Sequence, residues 1–136
     1  MNAAVYYNEL HKYAWSHQKY GKPYLGEYQD EKNGEWLKGD NPRSSYYNHS
    51  GFADLIISDL VGLKPRNDNV LEVFPLIPEG KWDWFCLDNV LYHGKIITIL
   101  WDKTGMKYRT GKGFRIYVGG KEVYKGGKLK HVKVEL

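Results

Sequence analysis

Five carboxylates fall between Gly21 and Asp40, in the stretch GKPYLGEYQDEKNGEWLKGD: Glu27, Asp30, Glu31, Glu35 and Asp40. Carboxylates this dense can chelate a hard cation or supply a general acid or base. They can also be the solvated decoration of a turn. The calcium reading fails on spacing. Setting Gly34 at the invariant glycine of an EF-hand loop puts Gln29 first and Asp40 twelfth, where an Asp and a bidentate Glu belong. Asp30, Glu31 and Glu35 lie in a Lys/Asn/Gly-rich turn that should face water. Glu27 differs, because it lies in Tyr24-Leu25-Gly26-Glu27-Tyr28, between aromatic rings and beside a glycine. A carboxylate held among rings can be aimed and its pKa tuned. The plainer alternative is a structural salt bridge, to Arg43 for example.

Other chemistries find less support. The five histidines (His11, His17, His49, His93 and His131) are scattered, and none makes an i, i+4 pair, so no metal site is expected. Cys86 is the sole cysteine, so no internal disulfide can form; inside WDWFCL it reads as buried and inert. There is no Walker loop or dinucleotide fingerprint, and no cofactor is implied. The lysines Lys121, Lys125, Lys128, Lys130 and Lys133 could track a nucleic-acid backbone, but they alternate with apolar residues and read as the wet side of an edge strand. No nucleic-acid partner is therefore expected. Trp82 and Trp84, two apart, and Trp101 could stack on a sugar; the flanking apolar run favours Trp82 and Trp84 as a core pair instead.

The elements that would position these residues change type along the chain. Ala3, Tyr6, Tyr7, Leu10, Tyr13 and Ala14 recur at helical spacing, so residues 2–19 read as an amphipathic helix stopped by Gly21 and Pro23. Residues 21–47 read as a long ordered loop, a length that points to function. Asn48 and Ser50 are candidate N-caps for a second helix, about residues 49–61, apolar around most of its circumference. Such a helix needs neighbours on all sides, more than this stretch supplies. After Pro65 the pattern is strands, over 70–74, 82–87, 89–93, 95–102, 113–118, 121–125 and 129–135. Phe114, Ile116 and Val118 alternate with Arg115 and Tyr117, and short turns separate the runs, as in an antiparallel sandwich. The fold class is thus mainly β, an antiparallel β-sandwich preceded by two α-helices, with a division into 1–64 and 65–136.

With 136 residues, 42% hydrophobic and 26% charged, the composition is that of a globular domain. No apolar run is long enough to span a bilayer, so no membrane partner is expected. The start, MNAAVYYNELHKY, lacks the basic and apolar regions of a signal peptide. The net charge of +4 allows anion contact without requiring it. Aromatic residues make up 15%, a proportion suited to a densely packed small core or to a surface that stacks on sugars.

Two stretches also resemble a known enzyme group. GEYQDEKNGEWLKGDNPRSSYYNHSGFADLII is similar to the closing segment of the catalytic α/α toroid in inverting glycoside hydrolases such as trehalase, processing α-glucosidase and mannosylglycerate-hydrolase-like enzymes. LEVFPLIPEGKWDWFCLDNVLYHGKIITILWD resembles the β-sandwich that follows such toroids. The resemblance spans about residues 20–120. It implies that Glu27, before Tyr28, is the general base, with Tyr24, Tyr28, Trp36 and Arg43 as sugar-site neighbours. Asn33-Gly34 stands where the group usually has Thr-Gly. The general acid in that group is an Asp upstream, in helices this chain does not contain. The implied partners are a carbohydrate substrate and the remainder of the toroid, and the chain alone is expected to be inactive. The alternative reading is a free-standing carbohydrate-binding sandwich that uses Trp82, Trp84 or Trp101. Helices lacking their neighbours are expected to self-associate or fold back on the sandwich.

Overall fold

The computed structural model describes residues 2–18, 21–38, 41–46 and 51–136. Asp40, Asn48, His49 and Ser50, singled out above, lie outside the described residues. The chain forms two compact units, Met1–Phe52 and Ala53–Leu136. No helix among the described residues is long and apolar enough to cross a membrane.

The first unit begins with helix α1, Ala3–Ser16. Its start is set by Asn2, whose Oδ1 accepts the Val5 N–H at 2.9 Å, satisfying one of the amides a helix leaves unpaired. Leu10 and Ser16 are its buried residues, while Trp15 is 70% exposed. The described residues of 21–38 and 41–46 then form a loop held by two isolated bridges, Gly26 with Ser45 and Gln29 with Trp36. The expected turn sits between the second pair. Asp30 Oδ1 accepts from the amides of Lys32 and Asn33 at 2.8 and 3.1 Å, an Asx turn, and Asp30 N–H donates to Glu35 O at 2.8 Å. Asp30 is therefore a turn residue.

The second unit opens differently from expectation. Instead of one α-helix to residue 61, a four-residue α2, Phe52–Leu55, runs into a π-helical segment, Ile56–Val61. Gly62 ends it at φ 88°, with its N–H on Ile57 O at 3.0 Å, an i to i+5 closure. Glycine is required here twice over. The left-handed φ disfavours a side chain, and a Cβ would collide with the Phe74 carbonyl. The segment's circumference is not uniformly covered: Leu60 and Val61 are buried, Leu55 is 41% exposed.

Seven strands follow: β1 Leu63–Lys64, β2 Val70–Val73, β3 Trp84–Tyr92, β4 Lys95–Asp102, β5 Gly113–Val118, β6 Lys121–Gly126 and β7 Val132–Glu135. They make two antiparallel sheets, β1-β2-β7 and β3-β4-β5-β6. Leu71, Val73, Ile97, Ile99, Phe114 and Ile116 are completely buried, and they fall in pairs two apart along their strands, on one face of each. The Tyr92 hydroxyl lies 3.1 Å from Lys64 O and 3.3 Å from Val70 O, joining the two sheets at one end. The two sheets fit the expected β-sandwich.

Four expectations about the strands need correction. The runs 82–87 and 89–93 are one strand, β3, interrupted by a bulge between Leu87 and Val90, where Asn89 takes φ 57°. The core aromatic of that strand is Phe85, 6% exposed; Trp84 faces out, 50% exposed, and Trp82 precedes the strand and is partly covered. Cys86 is exposed, because Phe85 and Leu87 occupy the inward positions beside it. Partial burial and then the Asp88 charge raise its thiol pKa, which keeps it a weak nucleophile. The last strand is also shorter than expected, beginning at Val132.

Asp102, at the end of β4, is 1% exposed. Its Oδ1 accepts from the Gly105 amide at 2.7 Å and the Thr104 amide at 3.2 Å, its Oδ2 from the Tyr108 amide at 2.9 Å. Burial alone would push its pKa up. The amides of Tyr108, Gly105, Thr104 and Lys107 outweigh that and hold it below the ordinary value. A depressed carboxylate pKa contributes stability above the unfolded-chain value of about 3.9, which is lost as pH falls through the folded value. Urea midpoints should therefore fall between about pH 5 and pH 3 in the natural chain, and fall less in Asp102→Asn, whose midpoint at neutral pH is already lower. Equal slopes in the two proteins would refute this role.

Candidate active-site loop

Among the described residues of the loop from Gly21 to Tyr46 there is little regular backbone pairing, so side chains must shape it. Trp36 is the principal one. It is 7% exposed, and its indole N–H donates to Ser16 O at 3.0 Å, tying the loop to the end of α1. Tyr24, also 7% exposed, meets it edge-on at 5.7 Å between centroids. His17 stacks on it at 6.4 Å with planes 7° apart, and Tyr13 meets it edge-on at 6.2 Å. Tyr24 in turn contacts Tyr46 at 5.8 Å. Such pairs add to ordinary area burial through ring electrostatics.

Gly26 is the residue that lets Trp36 lie flat against the loop. A Cβ there would stand 2.7 Å from Trp36 Cε3. The backbone around it is fixed on both sides. Tyr24 N–H donates to His17 O at 2.8 Å, and Tyr46 N–H donates to Leu25 O at 2.6 Å. Glu27 follows immediately. It is half-buried, and its Oε2 accepts the Ser44 hydroxyl at 2.9 Å. Ser44 is itself 1% exposed. One carboxylate oxygen is thereby anchored by a buried donor on the opposite limb of the loop. Among the described residues Glu27 makes no ion pair, and Arg43 lies exposed with its amide on Asn41 Oδ1 at 3.0 Å. The salt-bridge alternative is not what the loop forms.

The five residues singled out from the sequence thus separate. Tyr24 and Trp36 are brought together as buried rings, and Glu27 follows Gly26, against which Trp36 packs, with its carboxylate on Ser44. Tyr28 is 47% exposed with the Lys38 ammonium 4.0 Å from its ring centre, and Arg43 is exposed too. Ser44 was missed by sequence reasoning. A serine in Arg-Ser-Ser-Tyr carries no local signal, and only the bridge between Gly26 and Ser45 brings it opposite Glu27.

Comparison with known proteins places the second unit. Residues 63–124 match the family model for the C-terminal domain of glycosyl hydrolase family 65. A solved structure named "Sialidase" is similar to the chain at 54% identity and a TM-score of 0.87, over 98% of this chain and 12% of that one. The chain therefore spans about an eighth of the length of the protein it matches. The matched stretch takes in strands of both antiparallel sheets, so the sandwich resembles a glycoside hydrolase C-terminal domain.

Gly26→Ala tests the packing directly. The added methyl must displace the Trp36 ring, and overpacking of this kind costs about 1–3 kcal/mol. We expect a lower urea midpoint and a red-shifted tryptophan emission as the ring becomes wetter. An alanine variant with unchanged midpoint and emission would show that Trp36 does not depend on the missing Cβ.

Proposed function

We propose that this chain works as the closing part of a larger inverting glycoside hydrolase, with Glu27 as its general base. The observation that carries the reading is the Glu27–Ser44 contact on a loop braced by buried rings, next in sequence to a family 65 type sandwich. In this account α1 and the helical turns of 52–61 close an α/α toroid. The exposed Trp15 and Leu55 are surfaces that its other helices would cover.

The chemistry follows from what inversion needs. Two carboxyl groups flank the glycosidic bond about 6.5–9.5 Å apart, one protonated and one ionised, with room for a water on the far side of the sugar ring. Glu27 has one oxygen fixed by Ser44, which leaves the other to take the proton of that water as it attacks the anomeric carbon. The leaving oxygen must receive its proton from a second carboxyl group. Asp30 is engaged by two turn amides, so it is unsuited to that part. The acid then comes from an upstream Asp of the toroid, and the chain alone does not turn over substrate. Tyr28 and Arg43, both exposed, are the candidate side chains for meeting the sugar, with Tyr24 and Trp36 as the buried rings of the same loop.

The test compares two proteins on a panel of aryl glycosides and disaccharides. Residues 1–136 alone should give no turnover. The same residues joined to their upstream coding sequence should give turnover that Glu27→Gln lowers by about 10²–10⁴-fold, the usual contribution of a general base. Turnover by the isolated chain, lost in Glu27→Gln, would refute the missing acid; full activity in the longer Glu27→Gln protein would refute the base.

A further inference from the structure

The second unit carries a groove of about 470 Å³, inside the range of small-molecule sites at about 300–1,000 Å³. It lies between the loop before β3 and the turn after β6, and neither is used by the catalytic reading. Trp82 and Trp101 line it, with Ile77 and Leu129, and Glu79 and Lys128 stand on its rim. We propose that this groove is a secondary saccharide-binding site, one that takes a neutral sugar residue of a glycan chain. The proposal rests on the reading that the sandwich belongs to a glycoside hydrolase.

Three observations select that ligand. The first is the aromatic wall: the half-buried Trp82 indole, with Trp101, 9% exposed, closing the groove beside it. The C–H face of a pyranose is apolar and slightly positive, and it matches the negative face of an aromatic ring. The second is that the wall is already assembled. Trp101 donates its indole N–H to Trp82 O at 3.0 Å, and Lys103 N–H donates to Asp83 O at 2.9 Å. Trp82 also meets Phe85 edge-on at 6.2 Å, and a turn closed by Lys81 N–H on Pro78 O at 3.2 Å, with Gly80 at φ 77°, shapes the loop before it. A preformed wall loses little freedom when a weak ligand binds, which is what a sugar needs. The third is the charge of the rim. The Lys103 ammonium is held by Asp83 at 2.8 Å, with Glu79 also near it. Glu79 and Lys128 then oppose one another in sign. A balanced rim offering donors and acceptors suits hydroxyl groups better than an ion of either charge.

The experiment titrates the ¹⁵N-labelled chain with maltose, cellobiose, lactose and N,N′-diacetylchitobiose and follows the indole N–H signals. We expect saturable shifts of the Trp82 and Trp101 signals by at least one sugar, with a dissociation constant on the order of 1 mM. Trp82→Ala should weaken that binding by about tenfold or more. Lys128→Met, on the exposed rim, should weaken it several-fold while leaving the spectrum of the fold unchanged. Trp84→Ala, on the outward side of β3, should bind as the natural chain does. The proposal is overturned if no sugar shifts the two signals up to about 20 mM, well above the expected constant. It is equally overturned if Trp82→Ala and Lys128→Met bind undiminished. Loss of a dimer in Trp82→Ala, without any sugar response, would assign the groove to a second copy of the chain instead. Binding here is read without Glu27. A negative titration with Glu27-dependent turnover intact therefore rejects the groove alone, and the opposite pair of results rejects the catalytic reading alone.

Discussion

The burial of one indole governs the shape of the loop that carries Glu27. Among the described residues between Gly21 and Tyr46 the backbone makes two isolated bridges and a few turns, too little to fix a long loop. Trp36 supplies what the backbone lacks. Its N–H ends on Ser16 O, its ring lies against Gly26, and His17, Tyr13 and Tyr24 surround it. Removing a buried tryptophan side chain costs about 3–5 kcal/mol, comparable to the whole stability of a small unit. The position of Glu27 is one residue removed from this contact. Its aim therefore depends on the fit between a ring and a missing side chain, and Ser44 then fixes one of its oxygens.

The second unit solves a similar problem with a charge. The turn from Lys103 to Gly111 leaves the sheet after β4 and returns as β5. Asp102 gathers the amides of that turn onto one buried carboxylate, where a neutral side chain would satisfy fewer of them. Nearby, Arg115, 8% exposed, pairs with Glu122 on the same side of the sheet. Glu72 has a comparable place in the smaller sheet, meeting Arg66 at 2.5 Å and His131 at 2.7 Å. Such groups hold strands and turns in register, as a sandwich made of short strands requires.

Much of this was legible in the sequence, and the misses have particular causes. Strands β4 and β5 were found to the residue, because KIITILWD and GFRIYV combine β-branched residues with clear turn signals. The first helix was legible from its periodicity. The second was misread because Gly62 lies at φ 88° and draws the last turn into a π-closure, which apolar spacing cannot reveal. The tryptophans of WDWFCL were misplaced because an apolar run gives no phase. The bulge at Asn89 and the inward position of Phe85 set which residues face out. The aromatic context of Glu27 and the turn context of Asp30 agree with a half-buried Glu27 and an Asp30 that caps its own turn. Asp102 went unnoticed, although Asp-Lys-Thr-Gly is the pattern of a side chain capping its own turn. Ser44 could not have been found, since its role arises from a contact seventeen residues away.

The central claim is that Glu27 prepares a water for attack on the face opposite the leaving group. Azide tests it most directly, because azide is a nucleophile that needs no base. In a longer protein that joins these residues to their upstream coding sequence, Glu27→Gln should lose activity on an aryl glycoside. Added azide should restore it, forming a glycosyl azide whose anomeric configuration, read by NMR, is inverted relative to the substrate. A Glu27→Gln enzyme that azide fails to rescue, or whose azide product retains the substrate's configuration, would contradict the account.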